Sequence, residues 1–318
     1  MSYLISERSD PLSYLRSCRY RRAIGWHLED DRVQDGYAQT AKTARRREIM
    51  DQVTIPVIVV DAAPGAHLEA RLDMALRLAD EYDSSLTAVC AAWPASIAMS
   101  EIVAPVSPLA QEQALRDRVY EARQIFDRLT RHRTEKARWY GSVANPSIAL
   151  GQQALLADLV ITGVAGAMDL AVADPVDLAS QTGTPVLRVR RHGASETGHS
   201  RILVGWKDGR DARSALRAAL PFLHSAERVL LVGVGPEVQI ECLREVEGYL
   251  GRHGLTVSTM AIHAEGRSPA TVLNDIARDE GCNLVVAGAR SQGRWKEKLF
   301  GGVTEEMLKA DVTWLLAN

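Results

Sequence analysis

Asp158-Leu159-Val160-Ile161-Thr162-Gly163 is a short apolar run that ends on glycine, and Asn283-Leu284-Val285-Val286-Ala287-Gly288 repeats its pattern. Each run follows a helical stretch that opens on proline, after Asn145-Pro146-Ser147 in the first case and Arg267-Ser268-Pro269 in the second. Proline suits the first helical position because its φ is fixed and it has no N–H. Glycine at a strand end lets the backbone turn tightly. Two such units at matching places predict an internal duplication.

Short apolar runs alternate with helical stretches on both sides of these units. Residues 57–60 predict a buried strand, and residues 68–82 predict a helix with one apolar face. The pattern restarts at residues 202–206, so that each half contains five strands and four helices. This order predicts an α/β fold with two tandem open five-stranded parallel sheets, each covered by helices on both faces. The last strands of the two halves are expected at residues 186–189 and 312–316.

The length of 318 residues agrees with two domains, which we place at residues 53–190 and 200–318. Residues 1–49 differ from the rest and contain the basic run Arg45-Arg46-Arg47. These residues are open to three interpretations: a basic arm that binds nucleic acid or lipid, an over-extended gene start with the true first residue at Met50, or a poorly ordered leader. Nearby acidic residues dilute the positive charge, which favours the leader.

Composition excludes several classes of function. The formal net charge is -2, which favours neither nucleic acid nor an anionic membrane as a partner, and no apolar run is long enough to span a bilayer. The four cysteines are scattered and the histidines lack ligand spacing, so we expect reduced thiols in a cytoplasmic protein and no metal site.

The strongest local signal follows the fourth strand of the second half. A basic loop with Arg290, Arg294 and Lys296 leads from Gly288 to Gly301-Gly302-Val303-Thr304, which opens a predicted helix. Free N–H groups at a helix start bind anions, and arginine adds charge-assisted contacts to a phosphate. The spacing therefore predicts a phosphate site at the end of this strand.

This segment resembles the universal stress protein family, and the resemblance covers about residues 53–316 as two tandem copies. The family's nucleotide-binding members have glycine, two residues, glycine, nine residues, glycine and then serine or threonine. Gly288 and Gly301 match this pattern, whereas Ser291 replaces the second glycine and Gly302 replaces the hydroxyl residue. The resemblance implies the fold of the adenine nucleotide hydrolases. Members of the family pair through their last strands, so the resemblance also implies that residues 186–189 and 312–316 pair within one chain, and a homodimer stays open.

The resemblance also implies a site for ATP, with Mg²⁺ accompanying it. The family's aspartate after the first strand corresponds to Lys207, with Asp208 one position beyond. We predict no catalytic and no metal-binding residues. The predicted nucleotide contacts are Asp208, Gly288, Arg290, Ser291, Gly301, Gly302, Val303 and Thr304.

The first copy keeps Asp61 after its first strand and has Gly163 and Gly166 at the matching spacing. However, Asp174 and Asp177 place negative charge where a phosphate would lie. Like charges repel, so we predict that the first copy does not bind nucleotide.

The resemblance implies a non-enzymatic, cytoplasmic stress-response protein that binds an adenine nucleotide in its second half. One alternative is an interaction module that binds an unidentified protein partner independently of nucleotide. Another is a slow ATPase or adenylyl-transfer enzyme, which would need a base or a Mg²⁺ ligand near the loop.

Overall fold

The computed structural model describes residues 54–95, 107–163, 170–190, 200–236, 238–264, 266–289 and 312–318. The predictions for residues 1–49, for the basic loop and for the helix at residues 303–309 lie outside the described residues. None of the described helices is long and apolar enough to cross a membrane.

Each half contains strands and helices in the predicted alternation. The elements of the first half are β1 (Val57–Asp61), α1 (Leu68–Glu81), β2 (Ser85–Ala91), α2 (Pro108–Leu129), β3 (Ala137–Ser142), α3 (Pro146–Ala154), β4 (Leu159–Thr162), α4 (Pro175–Thr182) and β5 (Val186–Arg188). Those described in the second half are β6 (Arg201–Trp206), α5 (Arg210–Ser225), β7 (Arg228–Val234), α6 (Ile240–Arg252), β8 (Val257–Ile262), α7 (Pro269–Asp279), β9 (Leu284–Gly288) and β10 (Thr313–Ala317).

The repeated proline signal marks a helix start in both halves. Before α3, the side chain of Asn145 accepts hydrogen bonds from the Ser147 and Ile148 N–H groups. Before α7, the Ser268 side chain accepts from the Thr271 N–H. These side chains satisfy amide groups that have no partner within the helix. The two units that indicated duplication are therefore built by the same local chemistry.

The ten strands lie in the order β3-β2-β1-β4-β5-β10-β9-β6-β7-β8. All neighbours within a half are parallel, which confirms the five-stranded parallel arrangement of each half. The predicted pairing of the last strands also occurs: β10 runs antiparallel to β5, with Leu315 opposite Leu187. This pair joins the two five-stranded sheets into one continuous sheet.

Helices cover both faces of this sheet. On one face α1, α2, α5 and α6 share a single hydrophobic core that spans both halves. Tyr82 and Phe222 meet there across the junction of the halves, with ring centroids 6.2 Å apart. On the other face, α3 and α4 form one apolar cluster in the first half and α7 forms another in the second.

Candidate functional site

A crevice for ligands is expected where the chain leaves neighbouring strands in opposite directions. In the first half this point lies between β1 and β4, and in the second half between β6 and β9. Ligands of open α/β sheets bind at the carboxyl ends of such strands. Because β5 and β10 are antiparallel, the crevices of the two halves open at opposite edges of the sheet.

Gly288 ends β9 and lies against the first turn of α5. A Cβ atom on Gly288 would be 2.7 Å from the Cβ of Asp211 and 2.9 Å from the backbone nitrogen of Ala212. Glycine is therefore required for the close approach of β9 to this helix. A Gly288→Val variant would displace α5, so loss of binding in that variant would not establish a ligand contact.

Asp208 lies just before α5 and is exposed. Its carboxylate accepts hydrogen bonds from Nη2 of Arg213 at 2.7 Å and from Nε of Arg213 at 3.1 Å. An ion pair of this exposure contributes little to stability. The structure thus places Asp208 and Gly288 at the same helix start. The other predicted contacts, Arg290, Ser291, Gly301, Gly302, Val303 and Thr304, lie outside the described residues.

The register of the sheet separates two residues that the sequence aligns with the same family position. Val60 is level with Ile161, so that Asp61 comes one residue after that pair. In the second half, Val204 is level with Val286, and Lys207 comes three residues after it. Lys207 therefore extends two residues further towards the crevice than Asp61 does.

Arg71 occupies the crevice of the first half. Its side chain is buried, and its Nη2 donates to the carbonyl oxygen of Ala63 at 2.7 Å, while Nε donates to the carbonyl oxygen of Asp61. A Cβ atom on Gly163, the glycine that follows β4, would be 2.8 Å from Cδ of Arg71. The carboxylate of Asp61 accepts from the Ala63 N–H at 2.9 Å. An internal guanidinium therefore fills the space beside Gly163.

Arg71 and Asp211 are equivalent residues of the two halves. The buried positions of α1 (72, 75, 79) and α5 (212, 215, 219) have the same spacing. Three residues further on, α1 is followed by Tyr82 and α5 contains Phe222, and these two rings contact each other. Arg71 and Asp211 each come one residue before the first of these buried positions. Arg71 lies against Gly163, which follows β4, and Asp211 lies against Gly288, which ends β9. In the sequence, the pair is visible only when the spacings of the two helices are compared.

Asp174 caps α4 in the first half. One of its carboxylate oxygens accepts from the N–H groups of Val176 at 2.8 Å and Asp177 at 3.0 Å. These are the amide groups that a phosphate would use at a helix start. The carboxylate of Asp174 therefore occupies the helix start at which the sequence predicted that a phosphate would be repelled.

Cys90 lies in β2 near Asp61 and Arg71. The pKa of its thiol is raised to about 12, chiefly by burial; the negative charge of Asp61 also raises the pKa, and the positive charge of Arg71 lowers it. A thiol with this pKa is protonated at neutral pH and is not a nucleophile. Within the described ranges, no group of three His, Cys, Asp or Glu side chains is placed to hold a metal ion.

Comparison with known proteins finds a family match and a shared fold. Residues 234–312 match the universal stress protein family model, and no curated protein matches the chain. A universal stress protein from Archaeoglobus fulgidus DSM 4304 is similar in structure, with a TM-score of 0.62, 11% identity, and coverage of 82% of this chain and 96% of that one. A functionally unknown protein from Pseudomonas aeruginosa PAO1 has a TM-score of 0.50, 16% identity, and coverage of 85% and 94%.

At these identities the structural likeness shows the fold, which extends over both halves of the chain. The family match lies within the second half and includes β8, α7 and β9. Residues 234–312 of the chain are therefore similar to the universal stress protein family, and both halves share the fold of a solved protein of that family.

Proposed function

We propose that the second half binds an adenine nucleotide at the carboxyl ends of β6 and β9, and that the first half does not. The observation that carries this proposal is the difference between Arg71 and Asp211. In the first half the long Arg71 side chain lies beside Gly163, whereas the second half has the shorter Asp211 at the equivalent position. Among the described residues, a guanidinium therefore lies beside the glycine of the first crevice and a carboxylate residue beside that of the second. The family match, which lies in the second half, supports the same assignment.

The basic loop would contact the phosphates, with Arg290, Ser291, Gly301 and Thr304 as the proposed contacts. Asp208 would contact the nucleoside, which requires it to exchange its exposed bond with Arg213 for one to the ligand. Mg²⁺ would enter with ATP, bound to its phosphates. We propose a binding role in a cytoplasmic stress response rather than catalysis.

Isothermal titration calorimetry with ATP, ADP and adenosine tests this proposal. We expect saturable binding of ATP by the full chain, and weaker binding of adenosine because it lacks the phosphates. The Arg290→Gln variant should weaken the binding of ATP but leave that of adenosine unchanged. Replacing Ser291 by glycine, which restores the family pattern, should strengthen ATP binding by removing a Cβ atom from the loop.

The matched control is Arg71→Gln in the first half, which should leave the stoichiometry at one ATP per chain. Absence of heat with all three compounds at millimolar concentration would refute the proposal. A stoichiometry of two for the unmodified chain would refute the assignment of the first half as a non-binder.

A further inference from the structure

A second concave surface lies at the outer edge of the first half, between α2 and the edge strand β3. It has a volume of about 1080 Å³. We call it the aromatic cleft and define it by Trp93, Arg116, Tyr120, Arg123, Trp139 and Tyr140. None of Asp61, Arg71 and Gly163, which form the crevice of the first half, lines it.

Aromatic side chains are concentrated at this cleft although the core of the protein is mainly aliphatic. Among the described residues, three large aromatic side chains are exposed: Trp93 at 42%, Tyr120 at 63% and Tyr140 at 50%, and all three line the cleft. Burial in the core does not account for these rings, because about half of the surface of each one stays exposed. Exposed apolar groups that lie together indicate a binding surface.

The floor of the cleft depends on a glycine. A Cβ atom on Gly141 would be 2.7 Å from Nε1 of Trp139 and 2.8 Å from Cγ1 of Val119. Gly141 therefore lets the Trp139 indole lie close to the strand. The indole also packs on the ring of Phe126, with ring centroids 5.3 Å apart. This packing fixes the indole as part of the cleft wall.

The equivalent strand positions of the second half carry no aromatic side chains. Tyr140 pairs with Val89, and Met260 pairs with Val232, the equivalent residue of β7. Thr259 and Met260 therefore stand where β3 has Trp139 and Tyr140. The covering helix is also shorter, with 13 residues in α6 and 22 in α2. At these described positions the two halves thus differ, and the strand wall of the cleft is aromatic in the first half.

Arginine side chains give the cleft a positive character. Arg116 and Arg123 line it together with a single acidic residue, Glu112. Glu112 holds Arg116 in place, accepting from its Nη2 at 2.6 Å and its Nε at 3.1 Å, and Arg123 pairs with Asp127, which does not line the cleft. Aromatic faces stack on planar rings, and guanidinium groups bind anionic groups and also stack on rings.

We propose that the aromatic cleft binds planar aromatic compounds that carry a negative charge. The rings of Tyr120, Tyr140 and Trp93 supply stacking surfaces, and Arg116 and Arg123 contact the anionic group. This site is independent of the nucleotide site proposed for the second half, so either can fail without the other.

Two fluorescent probes with similar ring systems test the proposal on the full chain: anionic 8-anilinonaphthalene-1-sulfonate and neutral N-phenyl-1-naphthylamine. We expect the anionic probe to bind at least about fivefold more tightly than the neutral one. The double variant Tyr120→Leu/Tyr140→Met keeps the apolar area but removes two rings, and it should weaken both probes about tenfold. Arg116→Gln/Arg123→Gln should weaken only the anionic probe.

The matched control is Leu155→Ser/Leu156→Ser, which alters the exposed apolar side chains beyond the end of α3. We expect this variant to bind both probes as the unmodified chain does. The proposal would be overturned if the control lost probe binding while the tyrosine variant kept it, or if the arginine variant bound the anionic probe unchanged. Circular dichroism of each variant confirms that the changes at these exposed positions leave the fold intact.

Discussion

Arg71 and Asp211 hold equivalent positions in the two halves, yet they carry opposite charges. Arg71 bridges the carbonyl oxygens of Asp61 and Ala63 and fills the space beside Gly163. A buried guanidinium with such partners supplies donors to backbone oxygens that are at least partly shielded from water. The two halves thus differ in the side chain at this position.

Replacing Arg71 by alanine should destabilise the protein by about 2–4 kcal/mol, because the buried carbonyl oxygen of Asp61 and the partly buried one of Ala63 lose their donor. Arg71→Lys should cost less, since it keeps the charge but not the forked geometry. Urea unfolding with an unchanged m-value measures the effect. The control is Arg77→Ala on the exposed side of the same helix, expected to change stability by less than about 0.5 kcal/mol. Equal effects of the alanine variants would show that Arg71 has no special role.

At the scale of elements, the helix starts differ in how their first amide groups are satisfied. Asp174 satisfies the first amide groups of α4, so that this helix start already holds an anion. The equivalent helices α1 and α5 both begin without a side-chain cap. Close packing of Gly288 on the first turn of α5 fixes the position of this helix relative to β9. The nucleotide proposed for the second half would lie beside this junction.

Asp174→Ala should destabilise the protein by about 0.5–2 kcal/mol, because the Val176 and Asp177 amide groups lose their acceptor. Asp174→Asn keeps a capping oxygen and should be close to neutral, within about 0.5 kcal/mol. Thermal unfolding followed by circular dichroism compares the two variants. If asparagine proved as damaging as alanine, the charge rather than the cap would be what α4 requires.

Over the whole molecule, the two halves are joined in two ways. The antiparallel pair of β5 and β10 makes the sheet continuous, and the core shared by α1 and α5 connects the halves on one face. Leu187 and Leu315 are opposite each other at the centre of the strand pair and are fully buried. The halves are therefore expected to unfold together, as one cooperative unit.

A double-mutant cycle measures this coupling through Tyr82→Ala and Phe222→Ala. Because the rings meet edge to face across the junction, we expect a coupling energy of about 0.5–1.5 kcal/mol. The control cycle combines Phe222→Ala with Phe126→Ala, whose ring packs on Trp139 instead, and it should be additive within about 0.5 kcal/mol. Additivity in the Tyr82 cycle would contradict coupling through these rings.

Much of the fold was predictable because its signals are local. The run at residues 158–163 and its counterpart at 283–288 encode a strand and its end, and the preceding prolines and capping residues mark the helices. The candidate site was less predictable. The sequence singled out Asp208 by alignment with the family, but its bond to Arg213 emerged only from the arrangement at the start of α5. Arg71 escaped notice because an arginine in an amphipathic helix ordinarily lies at the surface.

The sequence by itself determined the alternation of strands and helices and the helix starts at Pro146 and Pro269, since periodicity and capping act over a few residues. Only the tertiary structure decided that Arg71 lies beside Gly163 and that four aromatic residues from β3, α2 and the end of β2 line one cleft. These contacts join residues far apart in the chain. Their partners are set by how the helices dock on the sheet, which no local pattern records.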